Sequence, residues 1–341
     1  WRFPYIVGAN GGAAFILLFV FFLFLISIPI FISELAIGKE TNKNPADALS
    51  AIGNHSIWYK VGLVQILAGL LISSFYSVIG GWTLGFFYEA YLGNLHFFHS
   101  LQESSTHFQN LQINWVWGCG FHFLFLLCAS FILWFGVRKG IEKTSKFMMP
   151  MLLIVLVLLT INGLTLPGSW EGVRFIFVPK WEAFTFSTVL LALGQAFFCL
   201  SLGQGTMIAY GSYLGSHANI LKVSFSIAIS VLLVSLLAGL AIFTVVFSVG
   251  VEPSSGESLL FEALPLAFSQ LLGGYWLALG FFLLIFIAAI TSQISAMEPA
   301  IAYLMDAKRW TRKQAVLSVG AFCLLLGIPS ALSFSVPNLV S

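Results

Sequence analysis

The chain has 341 residues, of which 59% are apolar and only 8% are charged, whereas soluble domains carry about 25% charged residues. So few charges exclude a soluble globule, which could not cover its surface, and leave a membrane protein; the 35 Phe suit lipid-facing helices and interfacial aromatic belts. The net charge of +2 says little, but the placement of the charges says more.

In chain order, Arg2 to Gly8 reads as half of a membrane span. Apolar runs of spanning length follow at 13–38, 61–91, 114–137, 145–166, 184–213, 220–250, 273–305 and 314–334. The expectation is an all-α membrane protein with about eight full spans and one half span, a single polytopic domain over 1–341. Of the 15 Lys and Arg, all but Arg2, Arg174 and Lys180 fall in one alternating set of loops, which is therefore cytoplasmic. The opposite loops carry Glu103, Glu171, Glu182, Glu252, Glu257 and Glu262. Segment 39–60 reads as a polar inner loop and 92–113 as a hydrophilic outer one. Ser258 to Pro265 reads as a short amphipathic helix at the outer mouth. Cys119, Cys128, Cys199 and Cys323 lie in spans without metal-ligand spacing. His96, His99 and His107 share an outer loop and read as solvated. The chain opens on Trp1 with no initiating Met and reads as the middle of a longer protein.

Polar residues inside the spans narrow the function. Ser201-Leu202-Gly203-Gln204-Gly205 interrupts an apolar run. Two glycines a residue apart, beside Ser201 and Gln204, let the backbone leave the helix. In hydrocarbon this is tolerated where the freed N–H and C=O groups line a cavity or where neighbouring helices satisfy them. Such a break near the midplane points to a transporter binding site. Glu34 and Glu298 are ionisable residues within spans and each needs a partner. Glu34 lies near the inner end of its span, within reach of the interface, and Glu298 reads as a brace in a buried polar network. Thr291 and Ser292, with the Ala288 carbonyl one turn earlier, place three oxygens on about one helix face. They could bond back to their own helix or hold a dehydrated monovalent cation. Tyr76 could be a packed core phenol or could donate to a substrate carboxylate.

At Trp1-Arg2-Phe3-Pro4, Gly81-Trp82-Thr83-Leu84-Gly85-Phe86, Gln195 through Gly203 and Thr291-Ser292, the chain closely resembles the neurotransmitter:sodium symporter family, above all its bacterial amino-acid transporters. The resemblance covers essentially all 341 residues. It implies an inverted-repeat transporter fold with discontinuous first and sixth helices, the chain running from mid helix one to just past helix nine. It implies that Tyr76 binds the substrate carboxylate and that Phe198 is the lid above the substrate. Ser201 and the backbone through Gly203 would contact substrate at the broken helix. Ile72, Gln204, Ser292 and Ala296 would line the pocket. Ala288, Thr291 and Ser292 would form half of the second sodium site. Arg2 would be the outer gate, with Gln195 in its network, and Asp306 with Tyr213 the inner gate. Unwinding between Gly140 and Pro150 would open a water path to the cytoplasm.

Two positions depart from the family pattern. The first sodium site needs a hydroxyl and an amide where this chain has Cys199 and Val231. A thiol is a poor sodium ligand and an isopropyl group is none, so the expectation is one coupled sodium. Ser235 matches a chloride-site serine, but Phe19 replaces the tyrosine, which puts chloride dependence in doubt. Gln204 places an amide where many relatives are apolar. The residue that separates amino-acid from monoamine carriers falls in the half-helix before Trp1.

The expected function is sodium-coupled symport of a small or medium neutral amino acid by alternating access, in the cell membrane, with lipid and no nucleic acid as partners. The alternative is a non-coupled amino-acid-binding receptor or scaffold on the same fold. No zincin motif, supported serine–lysine dyad or paired intramembrane aspartates suggest an enzyme.

Overall fold

A computed structural model describes residues 2–95, 97–179, 185–215, 217–250 and 259–333. His96, Lys180, Glu182, Glu252, Glu257 and Ser258 lie outside the described residues. Those described are all-helical, and seven helices among them are long and apolar enough to cross a membrane.

The half span is helix α1 (Arg2–Ala9). A turn at Asn10–Gly12 leads into α2 (Ala13–Thr41), which widens into a π turn at Leu23–Ser27. Two further spanning helices are α3 (Ser56–Leu92) and α4 (Trp115–Trp134). A π turn at Val137–Glu142 opens α5 (Lys143–Thr165), with Pro150 inside that helix. The apolar run at 184–213, in which the sequence expects a break at Ser201–Gly205, is two helices. These are α6 (Phe186–Cys199) and α7 (Thr206–Ser212), with Leu200–Gly205 non-helical between them. The bundle is completed by α8 (Ile220–Ser248), α9 (Gly274–Lys308) and α10 (Arg312–Leu332).

Three segments read as loops contain helices. Pro45–Gly53 is capped by the Asn44 side chain, which accepts from the N–H groups of Ala46 and Asp47. Leu101–Ile113 is capped by Ser100 Oγ, which accepts from Glu103 N, and Ser169–Phe177 starts after Gly168 at φ 80°. Asn and Ser satisfy the orphan N–H groups of a first turn, so short helices form in polar sequence without an apolar run. The expected outer-mouth helix appears as a π turn at Leu259–Ala263 followed by Leu264–Gln270. It is anchored by Phe261, whose ring stacks on Phe108 at 5.3 Å and meets Trp82 edge-on at 5.9 Å.

Lipid gives apolar helices no hydrophobic reason to associate, so close packing must hold them together. Gly80, Gly81 and Gly85 supply it on α3. A Cβ on Gly81 would sit 2.7 Å from the His122 backbone nitrogen, and one on Gly80 or Gly85 would strike the rings of Phe125 or Trp117. The same helix packs along α9 on another face, and the break between α6 and α7 lies against these elements.

Candidate functional site

The break has a definite stereochemistry. Ser201 N–H donates to Phe198 O at 3.1 Å and Leu202 N–H to Phe197 O at 3.1 Å. This pair of bonds is the Schellman stop, which requires a left-handed residue between them. Ser201 takes that position at φ 53°. Glycine normally fills it, because a Cβ in this conformation costs about 1 kcal/mol or more. Gly203 and Gly205 then continue at φ 77° and 75°. Three left-handed residues in five keep the chain out of the helix for a full turn.

A buried carboxylate supports the break. Glu34, on α2 and 7% exposed, accepts from Gly203 N–H at 2.9 Å through Oε1. The sequence put Glu34 near the inner end of its span, within reach of the interface; the side chain is buried against the unwound backbone. Its second oxygen is buried without a partner among the described residues.

Beside the break lies a cavity of about 290 Å³. From α3 it is lined by Ile72 and Tyr76, and from α6 by Gln195, Phe198 and Cys199. The break contributes Ser201 and Gln204, and α9 contributes Ala288, Ser292 and Ala296. Arg2 lines the same space, with its guanidinium carbon 4.7 Å from the centre of the Phe198 ring, a cation–π contact. Gln195 is 1% exposed and its Nε2 donates to Cys199 Sγ at 3.2 Å. Of the expected pocket residues, only Gly203 is absent from the wall; it turns its N–H to Glu34.

Across the break is a second cavity of about 590 Å³. Cys199, Ser201 and Ser292 line both cavities, while Thr291, Ser295 and Val231 line the second alone. Ile141, Ser145 and Met149, between Gly140 and Pro150, also face it. Gly140 is buried there, and a Cβ on it would run into the Ile132 carbonyl.

The three oxygens on α9 are mutually bonded. Thr291 Oγ1 donates to Ala288 O at 3.0 Å and Ser292 Oγ to the same carbonyl at 3.1 Å. Each hydroxyl keeps its lone pairs, and all three oxygens are neutral and within one turn. The donor set has the chemistry that a monovalent cation would need from one part of its coordination shell. The Cys199–Val231 pair offers a thiol and no oxygen. Ser235 lines the first cavity, and Phe19 is fully buried, edge-on to Phe3 at 5.1 Å.

The two inner-gate candidates have separate partners. Asp306 accepts from Asn44 N at 3.1 Å and Asn44 Nδ2 at 3.2 Å. Tyr213 donates to Glu298 Oε1 at 2.8 Å. Glu298 is fully buried and is gripped by Arg312, with Nη1 at 2.9 Å from Oε1 and Nη2 at 2.7 Å from Oε2. This bidentate pair supplies the partner that an acid in a span requires.

An apolar helical bundle with a spanning segment broken around a cavity defines a membrane transporter. The Sodium:neurotransmitter symporter family model matches residues 1–110 and 121–335, and the chain belongs to that family. An uncharacterized sodium-dependent transporter of Bacillus subtilis, YhdH, is 39% identical over 336 residues, 98% of this chain and 74% of its own length. A second such transporter, from Haemophilus influenzae, is 35% identical over 97% of this chain and 75% of its own length. The crystal structure of MhsT in complex with L-phenylalanine superposes with a TM-score of 0.93 at 38% identity, covering all of this chain and 77% of MhsT. The protein is a sodium-dependent transporter of this family, a multi-pass protein of the cell membrane.

Proposed function

We propose that the protein carries a small or medium neutral amino acid together with one sodium ion by alternating access. The observation that supports this best is the convergence of Tyr76, the Phe198 lid, Ser201 and Gln204 of the break and the Ser292 hydroxyl on one chamber, with Thr291 facing the cavity across the break. Among the described residues Arg2 is the only charged side chain on its wall, which suits a zwitterion whose own side chain is uncharged. In this reading the carboxylate meets the Tyr76 hydroxyl. The ammonium group is held by carbonyls of the unwound backbone. That MhsT was solved with an amino acid bound supports the same substrate class.

Sodium binds the Ala288 carbonyl and the Thr291 and Ser292 hydroxyls. Ser292 lines both cavities, so an ion there favours one arrangement of the break over the other, and such differential affinity is what coupling requires. The Cys199–Val231 pair leaves this as the single sodium site, and Phe19 removes the hydroxyl that a chloride ion would need. Arg2 over Phe198 forms the outer gate, Asp306 and Tyr213 act at the inner gate, and Gly140 to Pro150 is the hinge.

The test is equilibrium binding of labelled neutral amino acids to the purified full-length protein in sodium and in potassium. Saturable binding that sodium strengthens supports the reading. Equal binding in the two salts favours a non-coupled receptor.

A further inference from the structure

Gln204 carries the inference furthest. It lies in the break, lines the first cavity, and its Oε1 is buried with no hydrogen-bond partner among the described residues. A buried amide oxygen is costly to leave unbonded, and native structures rarely do so without a ligand or water at the site. Its position is fixed by close packing. A Cβ built on Gly69 would lie 3.2 Å from the Gln204 carbonyl oxygen, 3.5 Å from the Ala296 carbonyl oxygen and 3.7 Å from Gln204 Cβ. The root of Gln204 is thus held between α3 and α9.

Gly69, Ile72 and Tyr76 are spaced three and four apart, so they form one stripe along α3. Helical side chains lean toward the N-terminus, which inclines the Tyr76 phenol toward the Gly69 turn. Tyr76, Ile72 and Gln204 line the same cavity, so a ligand anchored at Tyr76 shares that space with Gln204. The other amide on the wall, Gln195, donates through Nε2 to Cys199 Sγ; its Oε1 is likewise buried with no partner among the described residues, but it sits on α6 beside Phe198 rather than in the break.

We infer that Gln204 makes the transporter selective for neutral amino acids whose side chain carries a hydrogen-bond donor, a hydroxyl or a carboxamide, over apolar side chains of the same shape. The inference rests on the amino-acid reading above and names the substrate class within it. A site built to hydrogen-bond a donor rejects the isostere that lacks it, because its own acceptor is then left unpaired.

The experiment is displacement of bound label from the full-length protein in sodium by isosteric pairs: L-threonine against L-valine, and L-tyrosine against L-phenylalanine. The donor-bearing member of at least the better-fitting pair is expected to bind about tenfold or more tightly. Gln204→Leu is expected to abolish or reverse that gap while sodium still strengthens binding. Sodium-strengthened binding in which the apolar member of each pair is equal or tighter in the unaltered protein overturns this inference and leaves the amino-acid reading standing. Absence of sodium-strengthened binding by any amino acid overturns both.

Discussion

Glu34 and Gly203, 169 residues apart in sequence, meet in a 2.9 Å hydrogen bond from the Gly203 N–H to the carboxylate. One helix thereby satisfies a donor that the break in another has freed. Removing the carboxylate takes away the acceptor of a part-buried N–H, at a cost of about 0.5–1.5 kcal/mol. Glu34→Ala is therefore expected to weaken amino-acid binding about 2- to 13-fold, while Glu34→Gln, which keeps an acceptor oxygen, loses much less. Equilibrium binding of the three forms checks this; equal losses in Ala and Gln would show that the hydrogen bond is not what matters.

The lid gives a second prediction. Arg2 sits over Phe198 at 4.7 Å, a contact worth about 0.5–2 kcal/mol. Arg2→Met should open the lid more often. Cys199, beneath it on the cavity wall, should then react faster with a water-soluble thiol reagent, measured in a protein whose other three cysteines are replaced. An unchanged rate would mean that the cation does not hold the lid.

A third concerns Glu298. Its side chain is 0% exposed and that of Arg312 15%. Breaking a buried pair from one side leaves an uncompensated charge and costs about 3–5 kcal/mol. Arg312→Met should lower the unfolding temperature of the detergent-solubilised protein sharply, and adding Glu298→Gln should recover most of the loss. Additive losses in the double variant would contradict the pairing.

The hinge can be tested without touching the chamber. A side chain on Gly140 collides with the Ile132 carbonyl, so Gly140→Leu should hold the π turn away from its present geometry. Transport is expected to slow at least about tenfold while amino-acid affinity stays within about threefold, the pattern of an altered conformational step. Parallel loss of affinity would place the residue in binding instead.

Much of the chamber was legible because polar residues stand out in apolar sequence. Ser201, Gln204, Thr291 and Ser292 each interrupt a span, and each lines one of the two cavities. The partner of Glu34 was not legible, since nothing local indicates which backbone N–H a distant carboxylate will meet. The break in the run at 184–213 was legible from Gly203, Gly205 and the polar residues beside them, whereas the left-handed turn at Ser201 itself was not, because hydropathy registers composition and is blind to backbone conformation. The helix at Leu101–Ile113 was missed because an apolar window cannot detect a polar helix, although its Ser100 cap with Glu103 three residues on was available to read.

The most direct test of sodium-coupled transport is uptake of labelled neutral amino acid into proteoliposomes of the full-length protein under an inward sodium gradient. Accumulation above equilibrium, with a Hill coefficient for sodium near one and loss of both in Thr291→Ala/Ser292→Ala, is the predicted result. Uptake that ignores the gradient, or that survives removal of both hydroxyls, would contradict it.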